Sequence, residues 1–126
     1  MEIKLKVVLV GESKTGKTSI ISRYISNTFS SVLTSTPGAS FNTNSVQIEN
    51  QNIKFEICDT AGQEKYRALA KVFYKNSPAI ILVYDITSRV TFEELKRYWI
   101  PEVKENGMPN ASKFLIIYKN YKCLFC

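Results

Sequence analysis

The sequence predicts an α/β fold: an open, mostly parallel sheet with one antiparallel strand and helices on both faces. Three observations predict it. Short apolar runs suited to buried strands, Val7–Val10, Ala79–Tyr84 and Phe114–Ile117, alternate with segments of helical periodicity. Two alternating segments, Val46/Ile48 and Ile53/Phe55/Ile57, stand close enough to form a hairpin and so supply the antiparallel strand. The first apolar run passes straight into Gly11, where a strand gives way to a loop before the next periodic segment.

Each element follows in order. Ile3–Val10 is a buried strand, and Ile20, Ile21 and Tyr24 recur at helical spacing, so a helix should run from about Lys17 to Tyr24. Residues 26–40 hold eight Ser or Thr in fifteen, with Pro37 and Gly38, and read as an irregular loop. The hairpin strands are joined through Asn50-Gln51-Asn52. A loop at 59–64 precedes a helix near Ala68–Lys75, and Ala79–Tyr84 is the second buried strand. Thr91-Phe92-Glu93-Glu94 reads as a capping box opening a helix whose Phe92, Leu95, Trp99 and Val103 share a face. Pro101 should kink or shorten that helix. The loop 106–112 then leads to Phe114–Ile117, a third buried strand.

Composition narrows the function. At 126 residues, with 44% apolar and 22% charged residues, the chain is expected to be one soluble domain. No apolar run exceeds the six residues Ala79–Tyr84, too few to cross a membrane, and Met1-Glu2-Ile3 opens neither a signal peptide nor a myristoylation site. Three cysteines and no histidine give neither a disulfide framework nor a zinc set, which favours a reducing compartment and excludes histidine catalysis. The net charge is +6, but the lysines are scattered, so no nucleic-acid partner is expected. Asp59 and Asp85 are the only aspartates, and no acid follows Glu105.

Gly11-Glu12-Ser13-Lys14-Thr15-Gly16-Lys17-Thr18 fits G-x-x-x-x-G-K-[ST], after a strand and before a helix. A phosphate chain needs converging N–H donors, and such a loop offers the amides of Glu12, Ser13, Lys14, Thr15, Gly16, Lys17, Thr18 and Ser19 with the positive helix end. Lys17 would neutralise the outer phosphates and the Thr18 hydroxyl would ligate magnesium. The class is that of the P-loop NTPases. Asp-Thr-Ala-Gly-Gln-Glu at 59–64 follows a strand, which puts Asp59 at the sheet's carboxyl edge, where a carboxylate can hold magnesium through water. Gly62 can bring its N–H to a terminal phosphate, and the Gln63 amide, both donor and acceptor, can orient an attacking water.

With these motifs the chain resembles the small GTPases, and within them the Rab family, over residues from about 3 to about 105. GESKTGKTS, STPGASF, CDTAGQEKYRAL and VYDITSRVTFEELK resemble Rab segments in order and spacing, and GES with YDIT is most similar to the endosomal branch. The resemblance implies a switch that binds GTP or GDP with magnesium and hydrolyses GTP in vesicle-mediated protein transport. It assigns the first switch to the Ser/Thr-rich loop, with Thr36 as magnesium ligand and phosphate sensor, Gly38 and Phe41 completing its pattern, and Phe29 against the guanine. Metal ligands would be Thr18, Thr36 and Asp59; Gln63 and Lys17 would be catalytic, and Ser13 would leave Gln63 room. Exchange factors, GTPase-activating proteins and effectors at the switch loops are the implied partners. The implied location is cytoplasmic, with endosomal or other vesicle membranes for a full-length relative.

The chain also departs from the family pattern. Pro37 replaces an aliphatic residue, and Cys58 stands where Rab proteins carry tryptophan, so the aromatic trio for effectors becomes a thinner surface of Phe41, Cys58 and Phe73. The family's Asn-Lys-x-Asp, which reads guanine, is matched by Asn120-Tyr121-Lys122-Cys123, and a cysteine cannot accept two strong hydrogen bonds. The chain is therefore expected to be a single, incomplete G domain over 1–126 that lacks the last strand and helix. Residues 118–126 read as an aberrant end of the kind a retained intron or frameshift leaves. Cys123–Cys126 fits C-a-a-X only formally, so membrane attachment by prenylation is not expected. Two other readings stand: a degenerate GTPase acting as an interaction fragment, and a P-loop ATPase or small kinase.

Overall fold

The computed structural model describes residues 2–28, 39–61 and 64–118. Five strands form one sheet in the order β2-β3-β1-β4-β5: β1 Glu2–Val10, β2 Ala39–Ile48, β3 Gln51–Thr60, β4 Ala79–Asp85 and β5 Ser112–Tyr118. β1 pairs in parallel with β3 and β4, and β4 in parallel with β5, while β2 and β3 are antiparallel. The predicted α/β fold is the one observed.

Helices cover both faces because the strands alternate their apolar side chains. Val8, Val10, Cys58, Ile80 and Leu82 face one way, toward Ala70 and Tyr74 of α2 (Arg67–Tyr74) and toward Leu95, Trp99 and Val103. Val7, Leu9, Ile57, Ala79 and Val83 face the other way, toward Ile21 of α1 (Lys17–Ser26), with Ile20 and Ile25 at the margin. A short 3-10 turn, Glu64–Tyr66, leads into α2.

Several expectations are corrected. The hairpin turn is Glu49-Asn50, not Asn50-Gln51-Asn52: Ile48 pairs with Gln51, leaving two residues, both at positive φ (47° and 65°), as a tight turn between twisted strands requires. β2 begins at Ala39, so the last two residues of the expected loop 26–40 belong to the sheet, and α1 takes Ser26.

The capping box at Thr91–Glu94 does not form. α3 is Arg89–Glu94, with Ser88 as its N-cap, so Thr91 lies within the first turn. Its buried hydroxyl accepts from the Asp85 N–H at 3.0 Å and donates to the Ser88 carbonyl at 2.7 Å, hooking α3 onto the end of β4. The Glu94 carboxylate is taken by Arg97 and Arg67, charged donors that outcompete a backbone amide.

Pro101 neither ends nor shortens the helix. A π-helical segment, Leu95–Trp99, precedes it, and α4 (Ile100–Asn106) carries Pro101 in its first turn, where no N–H is required. The Ile100 N–H reaches the Leu95 carbonyl across the wider turn. The buried residues Thr91, Leu95, Trp99 and Val103 recur every four positions. In an unbroken α-helix that spacing drifts by about 40° a step, and the wider turn takes up part of the drift. Phe92, expected on this face, is only half-buried.

The third buried strand is not buried where its side chains are described: Phe114 and Leu115 are each 54% exposed. β5 is the edge of the sheet among the described residues, and exposure on its outer side follows from that position.

Candidate functional site

β1 ends at Val10, and the chain then turns through a loop with three residues at positive φ: Gly11 has φ +146°, Lys14 +63° and Gly16 +96°. Gly11 must be glycine, because a Cβ there would lie 2.2 Å from the Val83 carbonyl oxygen. Gly16, left-handed, turns the chain into α1 at Lys17, and the first helical bond runs from the Ile20 N–H to the Gly16 carbonyl at 2.9 Å. The amides of Lys17, Thr18 and Ser19 are thus at the positive end of a ten-residue helix.

Lys17 is 5% exposed. Its Nζ donates to the Gly11 carbonyl at 3.0 Å, to the Glu12 carbonyl at 2.6 Å and to Thr15 Oγ1 at 3.4 Å. Thr15 Oγ1 itself donates to the Glu12 carbonyl at 2.9 Å, so the loop is closed around the cation. Burial pulls the ammonium down to about 8, a fall that the charges of Asp59 and Glu12 limit. A buried cation that has lost water and gained only neutral acceptors is poised to receive an anion.

Asp59, 1% exposed, arrives at the same edge because β3 pairs in parallel with β1 through Leu9↔Asp59. The next residue locks that register: Thr60 Oγ1 donates to the Leu9 carbonyl at 2.6 Å. Thr18 Oγ1 donates to Asp59 Oδ2 at 2.5 Å. A hydroxyl and a carboxylate brought together from α1 and β3 are hard oxygen donors of the kind magnesium takes alongside phosphate oxygens, so these residues fit that ion.

Of the expected site residues, Glu12, Ser13, Lys14, Thr15, Gly16, Lys17, Thr18 and Ser19 lie along one loop and helix start, and Asp59 meets them at Thr18. Phe29, Thr36, Gly62, Gln63 and Asn120 lie outside the described residues, as do Pro37, Gly38 and Cys123. Of the expected aromatic trio, Phe41 and Phe73 meet edge to face with centroids 5.2 Å apart. Cys58 is not on that surface: it is 1% exposed beneath Phe41, its cross-strand partner, and burial pushes its thiol up to about 11.

Sequence reasoning missed a polar group behind the loop. Glu12 Oε1 accepts from an Arg67 guanidinium N–H at 2.7 Å and from the Trp99 indole N–H at 2.9 Å. Arg67 also donates to Glu94 Oε2 at 2.9 Å and lies 4.2 Å from the Tyr98 ring centroid. Arg97 clasps both oxygens of Glu94, at 2.7 and 2.6 Å.

A glycine-bounded loop between the central strand and a helix, closed on a buried lysine beside a carboxylate at the sheet's carboxyl edge, is the architecture of a phosphate-loop domain. The chain belongs to the Ras family, whose model matches residues 6–121. It is similar to human Ras-related protein Rab-22A, with 48% identity over 107 residues, covering 85% of this chain and 55% of that protein. Rab-5B of Dictyostelium discoideum is 50% identical over 105 residues, 83% of this chain and 48% of the relative. Ras-related protein YPTC6 of Chlamydomonas reinhardtii is 43% identical over 111 residues, 88% of this chain and 51% of the relative. The Rab resemblance agrees with these matches, and the chain spans about half the length of the relatives. No helix among the described residues is long and apolar enough to cross a membrane.

Proposed function

We propose that the chain binds GTP and GDP with magnesium and hydrolyses GTP, as a Rab-type switch in vesicle-mediated protein transport. The observation that carries this reading is the Lys17 ammonium, buried at the loop-to-helix junction with the Thr18 and Asp59 oxygens beside it. The amides of residues 12–19 bind the phosphates, and Lys17 exchanges neutral carbonyl partners for phosphate oxygens. Thr18 and Asp59, with Thr36, hold the metal, which when bound neutralises charge on the outer phosphates. Gln63 orients a water whose oxygen bonds to the terminal phosphorus as the bond to the diphosphate breaks, and Gly62 offers its N–H to that phosphate. Phe29 and Asn120 contact the base. Exchange factors, activating proteins and effectors act at the switch segments beside Phe41 and Phe73, on cytoplasmic or vesicle-membrane surfaces.

The experiment is a titration of the 126-residue chain with fluorescent GDP in magnesium, competed by unlabelled GTP and ATP and repeated with Lys17→Ala. Displacement by GTP and not ATP, abolished in Lys17→Ala, is the expected result. A second reading is favoured by one observation: Tyr121 and Cys123 occupy the slot where the family carries lysine and a guanine-reading aspartate. On that reading nucleotide binding is impaired and the chain serves as an interaction fragment. Soluble, folded protein that binds neither nucleotide decides for it, and equal competition by ATP points to an adenine-tolerant site.

A further inference from the structure

The phosphate loop is closed from within by Lys17 and Thr15, and is also held from outside. Lys14, which has a Cβ, sits at φ +63° between two glycines at positive φ. Such backbone persists where surroundings over-determine it. Among the described residues, the side-chain hydrogen bonds found between residues 11–16 and elements other than the adjoining α1 converge on one group, the Glu12 carboxylate.

That carboxylate is held from two helical segments. Arg67 is the first residue of α2 and Trp99 the last of the π-helical segment, which aims its indole N–H at Glu12 Oε1. Trp99 is fully buried and Arg67 nearly so. On its other side, the Glu12 carbonyl accepts from Lys17 Nζ and Thr15 Oγ1. One residue thus joins the loop's cation to α2 and to the helix beyond β4. The charges matter as well. Glu12 is an anion beside a site for anions, and Arg67 is the cation that offsets it.

We propose that Arg67 and Trp99 are positioning residues: by holding the Glu12 carboxylate they fix the phosphate loop in its binding conformation and keep its negative charge from opposing the phosphates. This rests on the nucleotide-binding reading above. Neither residue touches nucleotide; both act through Glu12.

The test is the dissociation rate of fluorescent GDP in magnesium from the whole chain and its variants. Arg67→Met should release GDP about tenfold faster or more, since a charge-assisted hydrogen bond is lost and a carboxylate left without its cation. Trp99→Phe keeps the ring, loses the N–H and should release GDP a few-fold faster. The double variant Glu12→Gln/Arg67→Met should release more slowly than Arg67→Met alone, a rescue that a merely structural role does not produce. Wild-type rates in folded Arg67→Met, or absence of rescue, overturn the proposal. If Arg67→Met does not fold, Trp99→Phe and Glu12→Ala decide, and wild-type rates in both overturn it. If the wild-type chain binds no GDP, the proposed function fails and positioning is judged by hydrogen exchange in the empty chain. Faster exchange of the 13–16 amides in Trp99→Phe and Glu12→Ala then supports it, and unchanged exchange overturns it.

Discussion

Replacing Gly11 by alanine strains the fold at the point where the site begins. Gly11 has φ +146°, and an added Cβ would lie 2.2 Å from the Val83 carbonyl oxygen, against an ordinary contact of about 3.3 Å. The neighbour is backbone, held in β4, so relief means moving the end of β1 or β4 by about 1 Å. Backbone strain of this kind costs about 1–3 kcal/mol and overpacking about 1–3 kcal/mol more, so Gly11→Ala should lose about 4 kcal/mol. That is a large share of the about 5–15 kcal/mol that holds a domain of this size. In urea, with a slope of about 2 kcal/mol/M, the midpoint should fall by about 2 M. Gly107→Ala is the internal comparison: its Cβ would lie 2.5 Å from the Val103 carbonyl oxygen, but its φ is an ordinary −78°. It should lose the packing part alone, about 1–3 kcal/mol. If Gly11→Ala unfolds within about 1 kcal/mol of wild type, or costs less than Gly107→Ala, the reasoning from positive φ and close approach is wrong.

Acid should weaken the Glu94 cluster. Hydrogen bonds from Arg97 and then Arg67 hold the Glu94 carboxyl down at about 2, against 4.5 for an ordinary glutamate. Because the folded value lies below the unfolded one, its contribution is complete above about pH 4.5 and lost as pH falls toward 2. Urea midpoints of wild type and Glu94→Gln between pH 6 and 3 should therefore converge as the pH drops, and a constant gap would refute it. Cys58 should resist a thiol reagent at pH 8 in the folded chain and react on unfolding, since it is 1% exposed and its thiol is pushed up to about 11. Peptide mass mapping distinguishes it from the other cysteines, and labelling at equal rates in both states would contradict the burial. Leu95→Ala, at a fully buried position of the helix-side core, should cost about 2–5 kcal/mol by the same urea assay, and a loss below about 1 kcal/mol would mean the core closes over the gap.

Much of the fold was legible because its signals are local. Val7–Val10 running into Gly11 states a buried strand and its end within five residues, and residues 11–18 spell the phosphate-loop motif. Where two local signals competed, neighbours decided. Thr91 and Glu94 have the spacing of a capping box, but Asp85 offers Thr91 a buried backbone N–H, and Arg97 and Arg67 offer Glu94 charged donors. Ser88 then becomes the cap. Pro101 reads as a helix breaker only if the preceding turn is α-helical, and here it is a π turn. Phe114–Ile117 has the composition of a buried strand, but burial depends on what lies beyond the strand, and the edge position of β5 leaves Phe114 and Leu115 exposed.

The site divides along the same line. Gly11, Lys17 and Thr18 are neighbours in the chain, and Asp59 is placed by a motif that announces itself, so their meeting could be read in advance. The Glu12 anchor could not, because its donors are 55 and 87 residues away and nothing in the segments that carry them points to the loop. An arginine opening a helix reads as a solvated charge, yet Arg67 is buried; a tryptophan on an apolar stripe reads as core, and Trp99 is core, but its one polar atom leaves the core to reach the phosphate loop. In a buried aromatic the N–H must find an acceptor, and the acceptor available was the single carboxylate of the loop. The same contact that satisfies the indole therefore ties the helix beyond β4 to the loop, which is why packing of the core and anchoring of the loop are not separable at this position by sequence.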